Sequence, residues 1–510
     1  MSYKGCFPNI EGDDRRMIGL AELLESNFNS SDYAVIQNDV SYTYRQFGEV
    51  VHIYEEYYVK NNIKRVMLCL PQSFMAYAAM VAAYLTKTIY CPIDIDAPLV
   101  RKEYFIKKYQ PDLILTVKGI QLPEYILALV RDVEDFCWVE SNNATNLKLQ
   151  KEQIAFEARK NEVAYVIFTS GSTGYPKGVS VPRKALENFV QFGLDEYKIT
   201  NKDIWGQFSK LSFDLSTFDV FVAIAGRATL VPIASKGHKL LPARMIDKYQ
   251  ITYWHSVPSV MDLINFDLLK EGSLQSLRIL NFAGEALLAN TVEKLFLANN
   301  NIKIYNVFGH TETTFAMYQK LEYNDYKKYL DSTVSIGKPI PNYKVYLQNV
   351  QDGIGEIVIS VFIADGYLGE PDSKMFREIE KDGAVEYSFL SGDYGYYQGE
   401  NLYFWGRTDT QIKHNGNRID LNEIDNAFRM LGYISTSVFY QNRIIAFVFK
   451  TDATVDTIIG QLEMYLPEYY IPQRICIMQD IPYNSSNKID RNALIEILEK
   501  QNDRNSKRSN

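Results

Sequence analysis

One short segment of the chain has the composition of a loop that binds phosphate. It covers residues 169–178 (TSGSTGYPKG) and directly follows the apolar, strand-like run VAYVIFT. The backbone N–H groups of such a loop can surround an anion, the serine and threonine hydroxyls add donors, and Lys177 adds a positive charge. It is not a Walker A loop, because Pro176 precedes the lysine and no serine or threonine follows it. The segment therefore predicts phosphate chemistry.

Further motifs with charged or hydroxylated residues occur along the chain in a fixed order. They are residues 90–94 (YCPID), 213–216 (FDLS), 306–312 (NVFGHTE), 391–393 (SGD), 406–413 (GRTDTQIK) and 487–491 (NKIDR). Together with the loop, they resemble the signature motifs of the adenylate-forming superfamily. This superfamily comprises amino-acid adenylation domains, acyl-CoA synthetases and luciferases, and the resemblance extends over nearly the whole chain.

The resemblance implies a reaction in two steps that uses ATP and Mg²⁺. A carboxylate attacks the α-phosphorus of Mg-ATP, which gives an acyl adenylate and pyrophosphate, and a thiol then attacks the acyl carbon. The first step brings two anions together, so we expect a cationic and pre-organised site.

The resemblance assigns most of the motif residues to ATP. Lys488 would be the catalytic lysine between the carboxylate and the α-phosphate, Thr311 would contact the α-phosphate, and Glu312 would ligate Mg²⁺, which prefers oxygen ligands. Asp393 would accept both ribose hydroxyls, and Arg407 would contact ribose or phosphate. The remaining ATP-binding positions that the resemblance implies are Thr169, Ser170, Gly171, Ser172, Thr173, Gly174, Lys177, Asn306, Phe308 and Gly309.

Asp214 decides the predicted substrate class. In the amino-acid-activating branch, the aspartate of this motif pairs with the substrate α-ammonium, and a carboxylate beside Phe213 and Leu215 is costly to bury unless a cation arrives. The other pocket positions that the resemblance implies are Leu215, Phe218, Ser256, Asn281, Ala283, Val307, Phe315 and Ala316. None of them is charged, so we expect a neutral substrate side chain. Ser256 and Asn281 could bond a small polar group, while the two phenylalanines limit the depth.

Three positions depart from the pattern of the superfamily. His310 stands where proline is usual, Asn487 replaces the glycine before the catalytic lysine, and Lys-Thr at residues 87–88 replaces a usual Gly-Gly pair. Asparagine tolerates the left-handed backbone conformation of glycine, so Asn487 is an acceptable replacement. The other histidines, His255 among them, are scattered and predict neither a metal site nor a catalytic triad.

The elements that must position these motifs predict an α/β fold. Continuous apolar runs at residues 65–70, 112–117 and 163–169 are typical of strands buried on both faces of a sheet, and the alanine-rich segment 74–85 predicts a helix. Such alternation favours an α/β architecture. The resemblance implies the same class, with layered α/β sheets and a β-barrel-like part in a large N-terminal domain, followed by a small, mobile α+β domain.

The last hundred residues predict a separate unit. Residues 410–421 indicate a hairpin, because their central Asn-Gly pair favours a type I′ turn. Helical patterns at 422–430 and 455–465 and a strand-like run at 443–449 follow. The expected domains are a core at residues 1–405, a lid at 406–500 and a polar tail at 501–510. Asp409 is the hinge that the resemblance implies.

The composition excludes several classes of protein. Hydrophobic residues make up 46% of the 510 residues and charged residues 23%, which excludes a disordered chain. With 54 basic and 62 acidic residues the net charge is −8, the opposite of a nucleic-acid-binding footprint. The five cysteines are far apart, so neither a disulfide framework nor a zinc cluster is expected. A polar N-terminus and short apolar runs predict no signal peptide and no membrane span, and we expect a cytoplasmic monomer.

Four functions fit the motifs. The first is activation of a neutral amino acid, for example in a peptide pathway, with transfer to the phosphopantetheine thiol of a separate carrier protein, because the chain itself carries no Gly-Gly-x-Ser attachment site. The second is a D-alanine–carrier protein ligase of teichoic acid synthesis, although Ala283 stands where that subgroup has cysteine. The third is an acyl- or aryl-CoA ligase, against which Asp214 argues. The fourth is a catalytically silent relative that serves as a binding protein.

Overall fold

The computed structural model describes residues 19–133, 162–169, 175–269, 272–331, 333–370, 373–381, 383–407, 410–482 and 489–506. The α-helices are α1 (Leu20–Asn27), α2 (Tyr44–Lys60), α3 (Phe74–Leu85), α4 (Leu99–Tyr109), α5 (Arg183–Tyr197), α6 (Asp214–Ala225), α7 (Lys236–Lys239), α8 (Pro242–Tyr249), α9 (Ala289–Ala298), α10 (Leu421–Met430), α11 (Val455–Leu462) and α12 (Arg491–Ser506). None of these helices is long and apolar enough to cross a bilayer.

The strands are β1 (Tyr33–Gln37), β2 (Val40–Thr43), β3 (Arg65–Cys69), β4 (Ile89–Pro92), β5 (Leu113–Thr116), β6 (Val130–Asp132), β7 (Val163–Thr169), β8 (Lys177–Pro182), β9 (Ile204–Gln207), β10 (Thr229–Pro232), β11 (Tyr253–Ser256), β12 (Ile279–Ala283) and β13 (Lys303–His310). They continue with β14 (Thr314–Leu321), β15 (Lys338–Pro339), β16 (Lys344–Gln351), β17 (Ile354–Ser360), β18 (Gly366–Tyr367), β19 (Phe376–Lys381), β20 (Ala384–Gln398), β21 (Asn401–Arg407), β22 (Gln411–His414), β23 (Asn417–Asp420), β24 (Ile434–Tyr440), β25 (Arg443–Phe449) and β26 (Arg474–Met478).

Three large sheets are formed by the described residues up to position 407. The first has nine strands in the order β15-β14-β13-β12-β11-β9-β10-β1-β2, parallel in its interior and antiparallel at both edges. The second has seven strands in the order β18-β8-β7-β4-β3-β5-β6 and is largely parallel. The third is antiparallel and contains β16, β17, β19, β20 and β21. The predicted α/β class with an additional β part is confirmed.

Two helices of the core are enclosed by the first two sheets. Nearly every residue of α3 and α6 is buried, and both helices are apolar around their circumference, as expected for helices without a solvent face. Helix α6 contacts β9 and β10 of the nine-stranded sheet. Its Phe221 lies 5.5 Å from the Tyr84 ring of α3 and 6.4 Å from the Tyr90 ring of β4 in the seven-stranded sheet. The start of α6, at Asp214, is therefore fixed between two sheets.

Several predicted elements agree with the structure closely. The predicted helix 74–85 is α3, whose first turn is capped by the Ser73 hydroxyl accepting from the Ala76 N–H. The predicted strands 163–169 and 443–449 are β7 and β25. Lys87, in place of a usual glycine, has φ = 58°, the left-handed conformation that glycine adopts readily.

The described residues after position 410 form two small sheets of their own. The predicted hairpin is β22–β23, and its turn residues Asn415 and Gly416 have φ values of 49° and 75°, as a type I′ turn requires. A second sheet has the order β24-β25-β26 and packs between apolar residues of α10, α11 and α12. The boundary at residue 405 and the hinge at Asp409 stay predictions.

Two sequence segments lie inside longer elements. Helix α12 extends to Ser506, and its Leu494 and Leu498 are buried against the β24–β25 sheet. The Ser-Gly-Asp motif at 391–393 lies within β20, at an irregularity in its pairing with β17, and Asp393 pairs with Arg407 of β21. Gly392 retains the turn-like φ of 68° inside that strand.

Candidate active site

The motif residues converge at the carboxyl edge of the nine-stranded sheet. Parallel strands β9, β11, β12 and β13 end there, and such an edge is where open α/β sheets bind ligands. At the end of β13, Gly309 pairs with Phe315 so closely that a Cβ on Gly309 would lie 1.8 Å from the Thr314 carbonyl oxygen. Only glycine fits, and the tight turn that follows presents half-buried Thr311 and buried Glu312.

Asp393 lies at the centre of a cluster of cations. Its carboxylate is fully buried on β20, ion-paired to Arg407 on β21, and 2.9 Å from the His310 Nε2. Lys413 from the hairpin places its Nζ 3.8 Å from the same carboxylate and 5.0 Å above the Phe308 ring. The structure thus gathers Arg407 and Phe308, which have predicted ATP contacts, and the unusual His310 around one anion.

The electrostatics of this cluster favour an ionised Asp393. Burial alone would raise the pKa of the carboxyl, but Lys413, His310 and Arg407 outweigh it and hold the pKa of Asp393 well below its usual range. Burial lowers the pKa of His310, so the ring is neutral and donates its Nε2–H to Asp393. The proline that is usual at this position could not make this hydrogen bond, nor the one from the His310 backbone N–H to Thr313.

Glu312 is held by an arginine from the C-terminal hairpin. Arg418 Nη1 lies 3.1 and 2.9 Å from the two carboxylate oxygens, and the Tyr367 hydroxyl donates to Oε1 at 2.8 Å. Burial opposes ionisation, yet Arg418, His310 and Tyr367 together lower the pKa of Glu312. A second hairpin contact joins the Gly416 N–H to Glu285 at 2.7 Å, so the β22–β23 turn reaches into the site.

The magnesium role of Glu312 stays a prediction. Both oxygens of its carboxylate accept from Arg418. A carboxylate has about four lone-pair sites, so Glu312 could also contact Mg²⁺ together with phosphate oxygens.

The two ends of the phosphate-loop motif lie opposite each other. Thr169 at the end of β7 pairs with Lys177 at the start of β8. Lys177 forms an ion pair with Glu370 at 2.8 Å and lies 4.9 Å above the Tyr367 ring. Ser170, Gly171, Ser172, Thr173 and Gly174 lie outside the described residues, as do Asp409 and Lys488.

Asp214 is a carboxylate without a cation. It begins α6 and accepts one hydrogen bond, at 3.0 Å, from the Leu215 N–H, and no described lysine or arginine forms an ion pair with it. Burial raises the pKa of Asp214 to about 6, with a further contribution from the Glu312 charge and opposing ones from the Leu215 N–H and His255. Within the described residues, the Asp214 carboxylate is therefore left without an ion-pair partner.

Most of the predicted pocket residues surround this position. Phe218 follows Asp214 by one helical turn, and its ring lies 4.6 Å from that of Phe315 on β14. Val307 and Ala283 are buried partners on adjacent parallel strands. Ala316 is buried, Leu215 is half-buried against the same apolar cluster, and Asn281 is buried on β12.

Two predicted site residues have other contacts. Ser256 receives a hydrogen bond from the Trp254 indole at 3.1 Å, and both side chains lie on the face of β11 opposite His255, because side chains alternate along a strand. The Asn306 amide donates to the carbonyl oxygens of Val334 and Ser335 and so holds a loop. The placement of Ser256 in the pocket was therefore wrong by one residue.

Sequence reasoning missed four residues that contact the site. They are Arg418, Lys413, His255 and Glu285. Strand alternation could have identified His255, since Ser256 shares a face with the apolar Trp254. Nothing in the local sequence indicates that Arg418 would meet Glu312, because the two lie on different units.

The chain is similar to known adenylate-forming proteins. The family model described as AMP-binding enzyme matches residues 26–368. A D-alanine–D-alanyl carrier protein ligase of Lactococcus lactis is 28% identical over 505 residues, which covers 94% of this chain and 98% of that protein. Bacitracin synthase 1 of Bacillus licheniformis is 28% identical over 446 residues, and the matched part covers 82% of this chain but only 8% of the synthase.

The fold is similar to that of a solved adenylation domain. The crystal structure of Vibrio cholerae AlmE in complex with glycyl-adenosine-5′-phosphate has a TM-score of 0.78 and is 23% identical, covering 98% of this chain and 100% of that one. The family match extends over more than half of the chain and includes the residues around the carboxyl edge of the sheet. The chain therefore belongs to the AMP-binding enzyme family of adenylate-forming proteins.

Proposed function

We propose that this enzyme activates an amino acid with an uncharged side chain as an aminoacyl-AMP. It then transfers the aminoacyl group to the phosphopantetheine thiol of a separate carrier protein. The observation that carries the proposal is Asp214, a half-buried carboxylate beside the pocket that forms no described ion pair and whose pKa is raised to about 6. A substrate α-ammonium supplies the missing charge, whereas a fatty or aryl acid does not.

The residues around Asp393 support the nucleotide part of this function. An ionised carboxylate held by His310 and Arg407 can accept two ribose hydroxyls without reorganisation, which is how pre-organised sites lower a barrier. Phe308 offers an aromatic face beside it. Lys488 is proposed to place its ammonium between the substrate carboxylate and the α-phosphate and so reduce their repulsion.

The thiol-transfer part is supported by the similarity over nearly the whole chain to a D-alanine–D-alanyl carrier protein ligase. Between the core and the C-terminal unit lies a small cavity of about 30 Å³, lined by Arg101 and Phe213 on one side and by Pro467 and Tyr469 on the other. A cavity of that size holds about one water molecule, not a phosphopantetheine arm.

The decisive experiment is amino-acid-dependent ATP–pyrophosphate exchange over a panel of amino, aryl and fatty acids. We expect exchange only with amino acids whose side chains are neutral, and its loss in Lys488→Ala with an unchanged circular dichroism spectrum. Exchange restricted to aryl or fatty acids would reject the role of Asp214. No exchange with any acid would leave a silent binding protein as the better description.

D-Alanine is the second candidate substrate. The full-length similarity to a D-alanine–D-alanyl carrier protein ligase favours it. The same exchange panel, run with both alanine enantiomers, separates this candidate from other neutral amino acids.

A further inference from the structure

His255 is a buried histidine at the floor of the amino-acid pocket. Its side chain on β11 is 0% exposed, and its Nδ1 lies 2.7 Å from the Oδ1 of Asp219, which is 0% exposed as well. The imidazole meets the rings of Phe218 and Phe315 edge-on, at 5.9 and 5.6 Å. Asp219 lies on the same helix as Asp214, so α6 contacts both the predicted ammonium site and the histidine.

Asp219 determines which nitrogen of His255 carries the proton. A carboxylate only accepts hydrogen bonds, so Nδ1 donates to Asp219 and Nε2 is the nitrogen left for a further partner. Nε2 is buried and has no hydrogen-bond partner among the described residues. Interior acceptors are rarely left unpaired, because the desolvation of the group is then not compensated.

Asn281 provides a second unpaired atom on the same face. It is the registered neighbour of His255 on the parallel strand β12, so the two side chains lie on one face of the sheet. Its Nδ2 donates to the Tyr253 hydroxyl at 2.9 Å, while its buried Oδ1 has no partner in the described part of the chain. Two polar atoms at the floor of an otherwise apolar pocket thus lack partners.

We propose that the amino acid has a short side chain that ends in a hydroxyl, and that His255 Nε2 accepts the proton of this hydroxyl. The inference rests on the proposed function and names its substrate class, the hydroxy-amino acids of the serine type. A hydroxyl both donates and accepts, so its oxygen can also receive a proton from Asn281 once the amide rotates and Tyr253 donates to the amide oxygen. The Phe218 and Phe315 rings, whose centroids lie 4.6 Å apart, both meet the imidazole edge-on and so surround it with apolar surface.

The experiment compares exchange kinetics for serine, alanine and glycine, with both enantiomers of the first two. We expect kcat/KM for serine to exceed that for alanine by about 100-fold or more, because a site built for a hydroxyl rejects analogues that lack one. In the paired variant His255→Leu with Asp219→Leu, no carboxylate is left orphaned, and the serine-to-alanine ratio should fall at least about tenfold.

Two further variants separate selectivity from stability. His255→Asn retains an amide donor for Asp219 but lacks the distal nitrogen, so the serine-to-alanine ratio should fall here as well. Asn299→Ala is the matched control, because Asn299 is a buried side chain with two hydrogen bonds, to Leu274 and Leu277, in another part of the core. In Asn299→Ala, the ratio of kcat/KM for serine to kcat/KM for alanine should equal that of the unmodified enzyme.

Other outcomes overturn the inference. Preference for alanine or glycine in the unmodified enzyme would do so, and so would an unchanged ratio in both His255 variants, as expected if Nε2 contacts only a buried water. Exchange with no amino acid at all would reject the proposed function together with this inference, whereas exchange with alanine alone would reject this inference only.

Discussion

Two carboxylates of the candidate site, buried Asp393 and half-buried Asp214, have opposite surroundings. Asp393 contacts the cations Lys413 and Arg407 and accepts a hydrogen bond from His310, and these three groups hold its pKa well below the usual range. Asp214 accepts only a backbone N–H and forms no described ion pair, so burial raises its pKa to about 6. One charge is neutralised within the protein and the other is not.

The difference indicates which kind of ligand group each carboxylate is suited to bind. An anion already compensated by the protein can be kept rigid and ionised, so it suits neutral partners such as hydroxyl groups. An unpaired anion has an unfavourable desolvation free energy that a bound cation offsets, so the binding of that cation is favoured. We therefore interpret Asp393 as a pre-organised ribose acceptor and Asp214 as a receptor for an ammonium group.

The largest effect is expected from Asp393→Asn. This change leaves Arg407 and Lys413 buried without their anion, so we expect the free energy of unfolding to fall by about 3–5 kcal/mol. We also expect kcat/KM for ATP to fall by about 1,000-fold, because a charged acceptor is lost. Urea denaturation and exchange kinetics measure the two quantities. Unchanged stability would contradict the inference that Arg407 and Lys413 require the Asp393 carboxylate.

Asp214→Asn should reduce activity without that loss of stability. The substitution removes a charge that burial disfavours, so the free energy of unfolding should stay equal or rise. The KM for the amino acid should increase by about 100-fold, since the ammonium loses its counter-ion. The KM for ATP serves as the internal control and should change little. If the free energy of unfolding fell as much as in Asp393→Asn, the inference that only Asp393 is stabilised by partners within the protein would be wrong.

The sequence predicted the fold better than the site because the fold depends on patterns repeated over many residues. The apolar, alanine-rich run of α3 and the Asn-Gly turn of the hairpin indicate their structures locally. The contact of Arg418 with Glu312 depends on how the C-terminal hairpin meets the core, and no local pattern encodes that. Ser256 was misplaced because a shift of one residue along a strand exchanges its two faces.

His310 shows a further limit of prediction from motifs. In the sequence it is a departure from a usual proline, and its type alone does not reveal a partner. Asp393 lies 83 residues further along the chain, and the hydrogen bond forms only because β13 and β20 meet at the site. Long-range pairs of this kind require the tertiary structure.

The pH dependence of amino-acid binding should also distinguish the two carboxylates. Because the folded-state pKa of Asp214 is raised to about 6, the carboxyl takes up a proton as the pH falls through that value, and the KM for the amino acid should rise about tenfold between pH 7 and pH 5. The raised pKa also makes the free energy of unfolding depend on pH, because the folded state binds the proton of Asp214 more tightly than the unfolded state does. This stabilisation is fully present below the unfolded-state pKa of about 3.9 and is lost as the pH rises through 6.

The lowered pKa of Asp393 has the opposite consequence. Its contribution to stability is complete above about pH 5, where the unfolded-state carboxyl is ionised, and is lost as the pH falls through about 3.9 and below, so it stays constant in the window from pH 5 to 7. The difference in stability between the unmodified enzyme and Asp214→Asn should therefore vary with pH in this window. Denaturation midpoints measured at intervals of half a pH unit test this, and parallel profiles would contradict the raised pKa.

The smallest effect is expected from His310→Phe. Phenylalanine retains the ring contacts with Phe308 and Phe389 and the backbone N–H that bonds Thr313, but it cannot donate to Asp393. Losing one donor of several should raise the KM for ATP about tenfold, equivalent to about 1.4 kcal/mol. It should also weaken discrimination against 2′-deoxy-ATP, because the carboxylate is less precisely oriented.

The KM for the amino acid should not change in His310→Phe. The variant His310→Gln restores an N–H donor and should recover part of the loss in the KM for ATP. Equal increases of both KM values would indicate instead that the loop between β13 and β14 had moved, and that His310 does not act through Asp393.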